Sequence, residues 1–368
     1  MGLPSGVMLV IPTLQSGGAE LVMSRLAGWL HRNGSNVSLL TFDRSESEWP
    51  LQSGVRRLFL NDHLPGRAAA CENMIVEALR RVFAMERPGT ILSFLTRMNI
   101  RTLKARPANA TVIVCERSYP PARAFPPRLT REIVELYPSA QALVLQTERC
   151  RRDWADAFMP RHKTWVLPNA CFLRPPGADD PRAGQPPQSP YVVALGRLTP
   201  EKGFFTLLEA FAEARSRIPS LSLLIAGEGP QREQLLAKAR KLGVPDGFFL
   251  PGFCEDIGPI LRNALCFVLP SQYEGFPNAL LEAMWHGAAC VAADCPAGPE
   301  ELLGQTRGIL FPPGDSAALA QILLRLYADA RLRASLGAAA SLHARQFTED
   351  VVFFQWAALL RETTSDTV

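Results

Sequence analysis

Apolar residues along the chain follow two alternating rhythms. Short runs rich in Val, Ile and Leu are separated by longer stretches in which apolar positions return every three or four residues. The runs read as strands buried on both faces, and the longer stretches as helices that pack one stripe onto a sheet. Strands are predicted at 6–14, 37–42, 55–60, 91–95, 111–115 and 142–146, and again at 191–196, 221–226, 247–250, 266–269 and 289–293. A helix is predicted over 19–32, with Leu21, Val22, Leu26, Trp29 and Leu30 on one face and Asn33-Gly34 ending it. The stretch 71–86 is a second, its stripe made by Met74, Ile75, Ala78, Leu79, Val82 and Phe83, with Arg80, Arg81 and Arg87 off the stripe. An Ala/Leu/Arg-rich helical region covers 316–346, and 351–360 carries Phe353, Phe354 and Trp356. Strands alternating with helices imply parallel sheets with both faces covered, so the fold class is α/β.

The rhythm breaks between Arg174 and Pro190, where six of seventeen residues are proline, which reads as a linker between two domains. A length of 368 residues suits two domains of ordinary size, and an apolar fraction of 47% is ample for two cores. No run of eighteen apolar residues is present, and the start of the chain lacks the basic, apolar and small-residue segments of a signal peptide. The eight cysteines show no CxxC spacing and read as reduced, mostly buried thiols of a cytoplasmic protein. The five histidines have no metal-ligand spacing, so no metal site is expected.

Charge separates the two halves. Residues 1–175 hold 23 basic and 14 acidic side chains, a balance of +9, and the remainder holds 16 and 21, a balance of −5. No aromatic-basic interleaving accompanies the basic half, so nucleic acid is not expected as a partner. An anionic membrane surface, or an acceptor bearing pyrophosphate, fits better.

Chemistry concentrates in Glu274-Gly-Phe-Pro-Asn-Ala-Leu-Leu-Glu282. Glu274 falls in a turn and Glu282 on the helix that follows, with Pro277 suited to the first helical turn. The N–H groups of Gly275, Phe276 and Asn278 are then expected to be free at a helix N-terminus, where a diphosphate is favoured. Glu282, one to two turns on, can accept from vicinal hydroxyls. The run Tyr191-Val-Val-Ala-Leu-Gly-Arg197 followed by Leu-Thr-Pro-Glu-Lys202 places two cations at the carboxyl end of a strand, able to hold a leaving diphosphate. Phosphates flanked by sugars on both sides match this layout, as in a nucleotide-sugar.

Taken together, these residues resemble the donor half of the retaining glycosyltransferases of family 4, with the GT-B fold. Smaller echoes are Gly17-Gly18-Ala19-Glu20, Val166-Leu-Pro-Asn169 and Asp294-Cys-Pro-Ala-Gly-Pro-Glu300. The resemblance implies two Rossmann-like domains with parallel sheets facing across a cleft: an acceptor-side domain over 1–173, the linker at 174–190, and a nucleotide-sugar domain over 191–345. A C-terminal helix over 346–368 would cross back to the first domain. It implies a donor that is a nucleotide diphosphate-sugar, with Arg197 and Lys202 on the diphosphate, Glu274 on the donor sugar and Glu282 on the ribose. Gly252 and Phe253 would border the base. Gly17 and Gly18 would approach the donor phosphate or the acceptor. Glu116, with Arg117 at the end of the strand 111–115, has two readings, facing the cleft or forming a structural salt bridge. Several family members place a histidine in this region, and none lies between His63 and His162.

The implied activity is transfer of a hexose or N-acetylhexosamine from a UDP-linked donor to a lipid-linked or glycan acceptor in surface-glycan synthesis. The resemblance also extends to N-acetylgalactosamine transferases acting on lipid-linked oligosaccharides. No cofactor and no metal are expected. The protein is expected in the cytoplasm, peripheral on the inner face of the cell membrane, with Arg80, Arg81 and Arg87 flanking the amphipathic helix over 71–86, and Arg123, Arg128 and Arg131 near the apolar Phe125, Leu129 and Ile133. Two alternatives are a sugar-nucleotide 2-epimerase and a nucleotide-sugar-binding protein without catalysis.

Overall fold

The computed structural model describes all residues except 1, 16, 46–47, 65–70, 121–124, 173–186, 188–189, 255 and 366–368. The linker read at 174–190 thus falls almost wholly outside the described residues. The chain divides into two compact units, the first made of Met1–Ala170 with Asp350–Val368 and the second of Cys171–Glu349.

Unit 1 is built on strands β1 (Gly6–Val10), β2 (Asn36–Thr41), β3 (Arg56–Phe59), β4 (Thr90–Phe94), β5 (Thr111–Cys115), β6 (Ala142–Leu145) and β7 (Thr164–Val166). All pair in parallel, in the order β3-β2-β1-β4-β5-β6-β7. Helices α1 (Gly18–Arg32), α2 (Glu72–Glu86), α3 (Thr96–Ala105), α4 (Pro127–Leu136) and α5 (Glu148–Asp153) connect them. The first strand is shorter than its apolar run predicts. Ile11 still donates to Leu40, but Pro12 has no N–H to continue the ladder.

Unit 2 carries β8 (Tyr191–Leu195), β9 (Ser222–Ala226), β10 (Phe248–Gly252), β11 (Cys266–Leu269), β12 (Cys290–Ala293) and β13 (Ile309–Phe311), parallel in the order β10-β9-β8-β11-β12-β13. Its helices are α6 (Phe204–Arg217), α7 (Arg232–Lys241), α8 (Gly258–Asn263), α9 (Asn278–Trp285), α10 (Pro299–Leu303), α11 (Ser316–Ala328) and α12 (Ala330–Ala344). Alternation along the strands sorts two cores. Val192, Ala194, Leu223 and Ile225 pack with α6 and α11, while Tyr191, Val193, Phe267 and Leu269 pack with α8 and α9. The Ala/Leu/Arg-rich stretch is two helices because Asp315 and Asp329 each cap one. Their Oδ1 atoms accept from the N–H of Ala318 and Leu332, both at 2.8 Å.

The last helix, α13 (Glu349–Ser365), belongs with unit 1 over nearly its whole length. Phe353 and Trp356 are fully buried. Phe353 meets Trp29 with ring centroids 5.9 Å apart, and Trp356 stacks on Phe94 at 6.0 Å. Burying two such side chains stabilises the unit by roughly 2–3 kcal/mol each.

Candidate functional site

In unit 2 the strand order reverses between β8 and β11, the point at which an open parallel sheet leaves a crevice at its carboxyl end. The loops that follow these two strands carry the predicted cations and the first predicted carboxylate. Lys202 Nζ donates to both oxygens of Glu274, at 2.8 and 3.0 Å. Ser271 Oγ donates to Glu274 Oε1 at 2.6 Å. The Gln272 N–H donates to the Glu201 carbonyl at 2.8 Å and ties the two loops together. The carboxylate is almost closed off, its side chain 8% exposed against 21% for Lys202, so the pair sits in a poorly hydrated recess where charge is costly unless paired.

Local backbone geometry makes this arrangement possible. Gly203 takes φ 68°, and a Cβ there would run into the Pro270 carbonyl. The glycine therefore lets the β8 loop close over the end of β11 and deliver Lys202 to Glu274. On the other side Gly298 takes φ 117°, where a Cβ would strike the Pro277 ring, so the turn before α9 is held by a proline packed on a glycine.

Arg197 leaves the same β8 loop as an exposed side chain, and among the described residues no acidic group pairs with its guanidinium. It joins Thr199 and Lys202 in setting Glu201. Burial alone would raise the Glu201 carboxyl, but the Thr199 hydroxyl, Arg197 and Lys202 bring it below the usual carboxylate range. The neighbouring Cys295 thiol is pushed up to about 12, first by burial and then by the charge of Glu274.

Helix α9 begins one residue later than the sequence predicts. Pro277 is the residue before it rather than in its first turn. The Asn278 N–H is not free, as predicted, because it donates to the Phe276 carbonyl at 3.0 Å. Gly275 and Phe276 keep N–H groups with no partner among the described residues. Glu282 lies one turn into α9, half-buried, close enough to Cys171 for its charge to help raise that thiol. Gly252 ends β10, and its carbonyl accepts from Gly227 at 2.7 Å, while Gly196 donates to Ala226 at 3.1 Å. These bonds link the ends of β8, β9 and β10 into one rim, with Phe253 beside it, 48% exposed.

The structure thus brings Lys202 and Glu274 into contact and sets Arg197, Gly252, Phe253, Gly275, Phe276 and Glu282 on loops and a helix at the same sheet edge. Ser271 is the partner that sequence reading missed. Its signal was a hydroxyl three residues before Glu274, at the exit of a buried strand.

The predicted residues of unit 1 form no such group. Glu116 faces neither solvent nor a crevice. It is 1% exposed, accepts from Thr96 Oγ1 at 2.8 Å and Asn99 Nδ2 at 3.2 Å, and holds a short bond from the Tyr137 hydroxyl. Burial first, and then the charge of Glu116, raise Tyr137 well above the usual phenol range. The substrate-facing reading of Glu116 is therefore corrected to a core anchor, held by hydroxyl and amide groups of Thr96, Asn99 and Tyr137. Gly17 and Gly18 open α1, and the Gly17 carbonyl accepts from Trp49 Nε1 at 3.0 Å. The Glu20 carboxylate lies against Gly17, in the space a Cβ would take. A phosphate at that helix end would meet a carboxylate already there.

Among the described residues no group of three or more His, Cys, Asp and Glu side chains could hold a metal ion. No helix among them is long and apolar enough to cross a membrane.

Residues 178–343 match the family model described as Glycosyl transferases group 1. The chain is 33% identical over 232 residues to the exopolysaccharide phosphotransferase of Streptomyces coelicolor, a match over 62% of this chain and 24% of that protein, so it spans about a quarter of that relative. It is 26% identical over 97% of its length, and 98% of the relative, to the Campylobacter jejuni protein named GalNAc-alpha-(1->4)-GalNAc-alpha-(1->3)-diNAcBac-PP-undecaprenol alpha-1,4-N-acetyl-D-galactosaminyltransferase. It is 22% identical to the amylovoran biosynthesis glycosyltransferase AmsD of Erwinia amylovora, over 96% of this chain and 99% of that one. Among solved structures, the sucrose-phosphate synthase of Thermosynechococcus elongatus superposes with a TM-score of 0.83 at 19% identity, covering 98% of this chain and 99% of that one. Anabaena HepE in complex with UDP does so with a TM-score of 0.79 at 19% identity, covering 97% and 100%. The two parallel sheets of seven and six strands are those of the GT-B fold.

Proposed function

We propose that this chain, whose residues 178–343 match the family model described as Glycosyl transferases group 1, moves a hexose or N-acetylhexosamine from a UDP-linked donor to a lipid-linked saccharide, with retention at the anomeric carbon. The observation that carries this reading is the Lys202–Glu274 pair, held at 2.8 and 3.0 Å where the order of the unit 2 sheet reverses. The donor's diphosphate takes Lys202 from Glu274 and adds Arg197, whose guanidinium waits exposed on the same loop. The N–H groups of Gly275 and Phe276 complete the phosphate contacts. Released from Lys202, Glu274 accepts from hydroxyls of the donor sugar and supports positive character at the anomeric carbon. Glu282 accepts from the ribose, and the backbone at Gly252 and Phe253 borders the base.

The acceptor hydroxyl attacks from the face the diphosphate leaves, and a departing phosphate oxygen takes its proton. Stabilising the charge that grows on that diphosphate supplies most of the rate, on the order of a few kcal/mol for each donor. Arg197 and Lys202 provide that charge, so turnover needs no cofactor and no metal. Relatives support the choice of substrates. Anabaena HepE is described in complex with UDP, and the Campylobacter jejuni relative is named for an undecaprenol-linked acceptor.

The basic balance of residues 1–175 supports docking on an anionic membrane face, at about 1 kcal/mol for each cation near the leaflet. The structure alters which residues of α4 serve. Ile133 is 2% exposed and belongs to the core, whereas Val134 is 49% exposed and the Arg128 side chain 84%. Arg123 lies outside the described residues. Of the cations on α2, Arg80 and Arg81 both lie near Glu77, at 3.4 and 3.8 Å, which weakens their share.

The test is incubation with labelled UDP-sugars, with and without membrane lipid extract, with and without EDTA, followed by the anomeric configuration of the product. Transfer to lipid with the donor's configuration, unaffected by EDTA, is expected. An altered sugar-nucleotide formed without lipid means an epimerase, and UDP binding without turnover means a binding protein. Flotation with anionic vesicles at low and high salt tests the docking, and failure to float at low salt removes it.

A further inference from the structure

Arg117, at the carboxyl edge of the unit 1 sheet, is a shielded cation with no carboxylate paired to its guanidinium among the described residues. It follows β5 directly after Glu116, and the two neighbours have opposite fates. Glu116 enters the core network, while Arg117 lays its guanidinium over the Phe94 ring, 4.9 Å from the centroid. Its Nη2 donates to Asn169 Oδ1. The same oxygen accepts from Gln146 Nε2 at 3.0 Å. This leaves Nε and Nη1 of Arg117 and Oε1 of Gln146 closed off from solvent and without a partner among the described residues. Arg117 as a whole keeps partial exposure, while Gln146 and Asn169 beneath it are buried, so the cluster runs inward from the surface of the unit at Arg117.

Energetics say something should be there. A guanidinium always carries its charge at neutral pH, and shielding it without an anion costs several kcal/mol. Burial lowers its pKa to about 10, against a smaller opposing effect of Cys115. The location agrees. Phe94 ends β4, Arg117 follows β5, Gln146 follows β6 and Asn169 follows β7, so four adjacent parallel strands deliver the cluster at their carboxyl ends. That is the edge at which such sheets take ligands. The unused groups are complementary in kind: guanidinium donors for an anionic oxygen, and an amide oxygen for a hydroxyl. Asn169 belongs to the Val166-Leu-Pro-Asn169 motif, which donor chemistry leaves unexplained.

We propose that Arg117 and Gln146 form an anion-binding subsite for a phosphate-bearing saccharide, distinct from the donor site of unit 2. Arg117 Nε and Nη1 donate to phosphate oxygens, and Gln146 Oε1 accepts from a sugar hydroxyl beside the phosphate. Phe94 and Asn169 fix the plane of the guanidinium before the ligand arrives. As an acceptor subsite this rests on the sugar-transfer reading above; as an anion site it stands without it.

The experiment uses the full chain and isothermal titration with inorganic pyrophosphate. UDP is first added to saturation to fill the unit 2 site, and an Arg197→Ala, Lys202→Ala variant repeats the titration without UDP. Pyrophosphate should bind in both settings. Arg117→Gln should weaken it at least tenfold, and Arg117→Lys, which keeps the charge and loses the fork, should fall between. If Arg117→Gln does not fold, Arg117→Lys and Gln146→Leu carry the test, the latter with normal pyrophosphate binding and weaker binding of a sugar diphosphate. No pyrophosphate binding with UDP bound, or equal binding in the wild type and Arg117→Lys, overturns the proposal. If UDP itself fails to bind, the donor reading falls, and the double variant still decides the anion site. Free pyrophosphate and a short-chain lipid-linked saccharide diphosphate then compete directly. A tenfold preference for the second identifies the acceptor as the source, and no preference leaves an anion site without an acceptor role.

Discussion

Each unit places a glutamate after a central parallel strand, and the two glutamates do opposite things. Glu274 follows β11 in unit 2 after four intervening residues, meets Lys202 and Ser271, and sits in a recess at the reversal of strand order. Glu116 follows β5 in unit 1 with no loop at all and turns into the core, where Thr96, Asn99 and Tyr137 hold it. A carboxylate at a strand end is therefore not a site by position alone. The loop behind Glu274 lets it turn toward a cation from the neighbouring strand's loop. Without a loop, Glu116 follows the pleat of its strand inward, and the exposed edge of unit 1 falls to the next residue, Arg117.

The comparison breaks most sharply on activity. Lys202→Ala or Glu274→Ala should each lower kcat by about 10²–10³, the usual effect of removing one group that stabilises developing charge. The fold should persist at assay temperature, although removing one partner strands the other's charge in the recess and lowers the melting temperature by a few degrees. A sugar-transfer assay with circular dichroism reads both. Activity within tenfold of the wild type in either variant would remove the pair from the mechanism.

Glu116 should show the reverse pattern. Glu116→Ala leaves the Tyr137 hydroxyl, Thr96 and Asn99 without their shared acceptor in a closed interior, at about 3 kcal/mol. Unit 1 should then melt roughly 10 °C lower, while donor affinity of the folded protein is kept. Calorimetry and UDP titration separate the two. A variant with unchanged melting but lost turnover would restore Glu116 to the reaction.

This contrast also marks how far the sequence could be read. Eleven of the thirteen strands were legible because buried parallel strands are unbroken apolar runs, whereas β7 and β13, three residues each, are too short to make such a run. Lys202 and Glu274 could be named because each stands in a Gly- and Pro-containing loop between a predicted strand and a predicted helix, and because they match the basic pair and carboxylate signature of the resembled family. Their direct contact could not, since it depends on Gly203 passing under the Pro270 carbonyl, 67 positions away in sequence. The split at Asp329 was missed because an Asp inside an Ala/Leu/Arg-rich stretch reads as a surface charge until its side chain is seen to cap. The direction of Glu116 was undetermined for a similar reason: its partners Thr96 and Asn99 come from α3 and Tyr137 from the turn after α4, and no local pattern joins them to it.

Ser271 gives a smaller test. Its hydroxyl holds Glu274 Oε1 at 2.6 Å but is not placed on the substrate. Ser271→Ala should cost about 1 kcal/mol in kcat/KM, near fivefold, and Ser271→Thr should recover part of it. The loss should lie in kcat, with the donor KM little changed, because the hydroxyl orients the carboxylate and does not bind the nucleotide. A loss as large as that of Glu274→Ala would mean that Ser271 acts on the substrate directly.

The thiols offer the gentlest probe, because they differ between the units without touching the proposed chemistry. Cys71, in unit 1, is exposed, and the other seven cysteines are buried, including all five in unit 2. Burial raises the thiols of Cys115 and Cys290, and pushes Cys171, Cys266 and Cys295 up to about 12. One equivalent of a thiol reagent should therefore react quickly with the native protein at pH 8, at Cys71, and leave sugar transfer intact. The same shifts set the sign of an alkaline effect. The folded protein keeps these thiols protonated above about pH 9, where the unfolded chain releases the protons, so stability is present below that pH and falls as pH rises through it. Because four of the five raised thiols lie in unit 2, that unit should lose stability first between pH 9 and 10.5, read as an earlier melting step by calorimetry on the Cys71→Ser variant. Rapid modification of a second cysteine at pH 8, or an alkaline loss confined to unit 1, would show that the unit 2 core is more open than its packing implies.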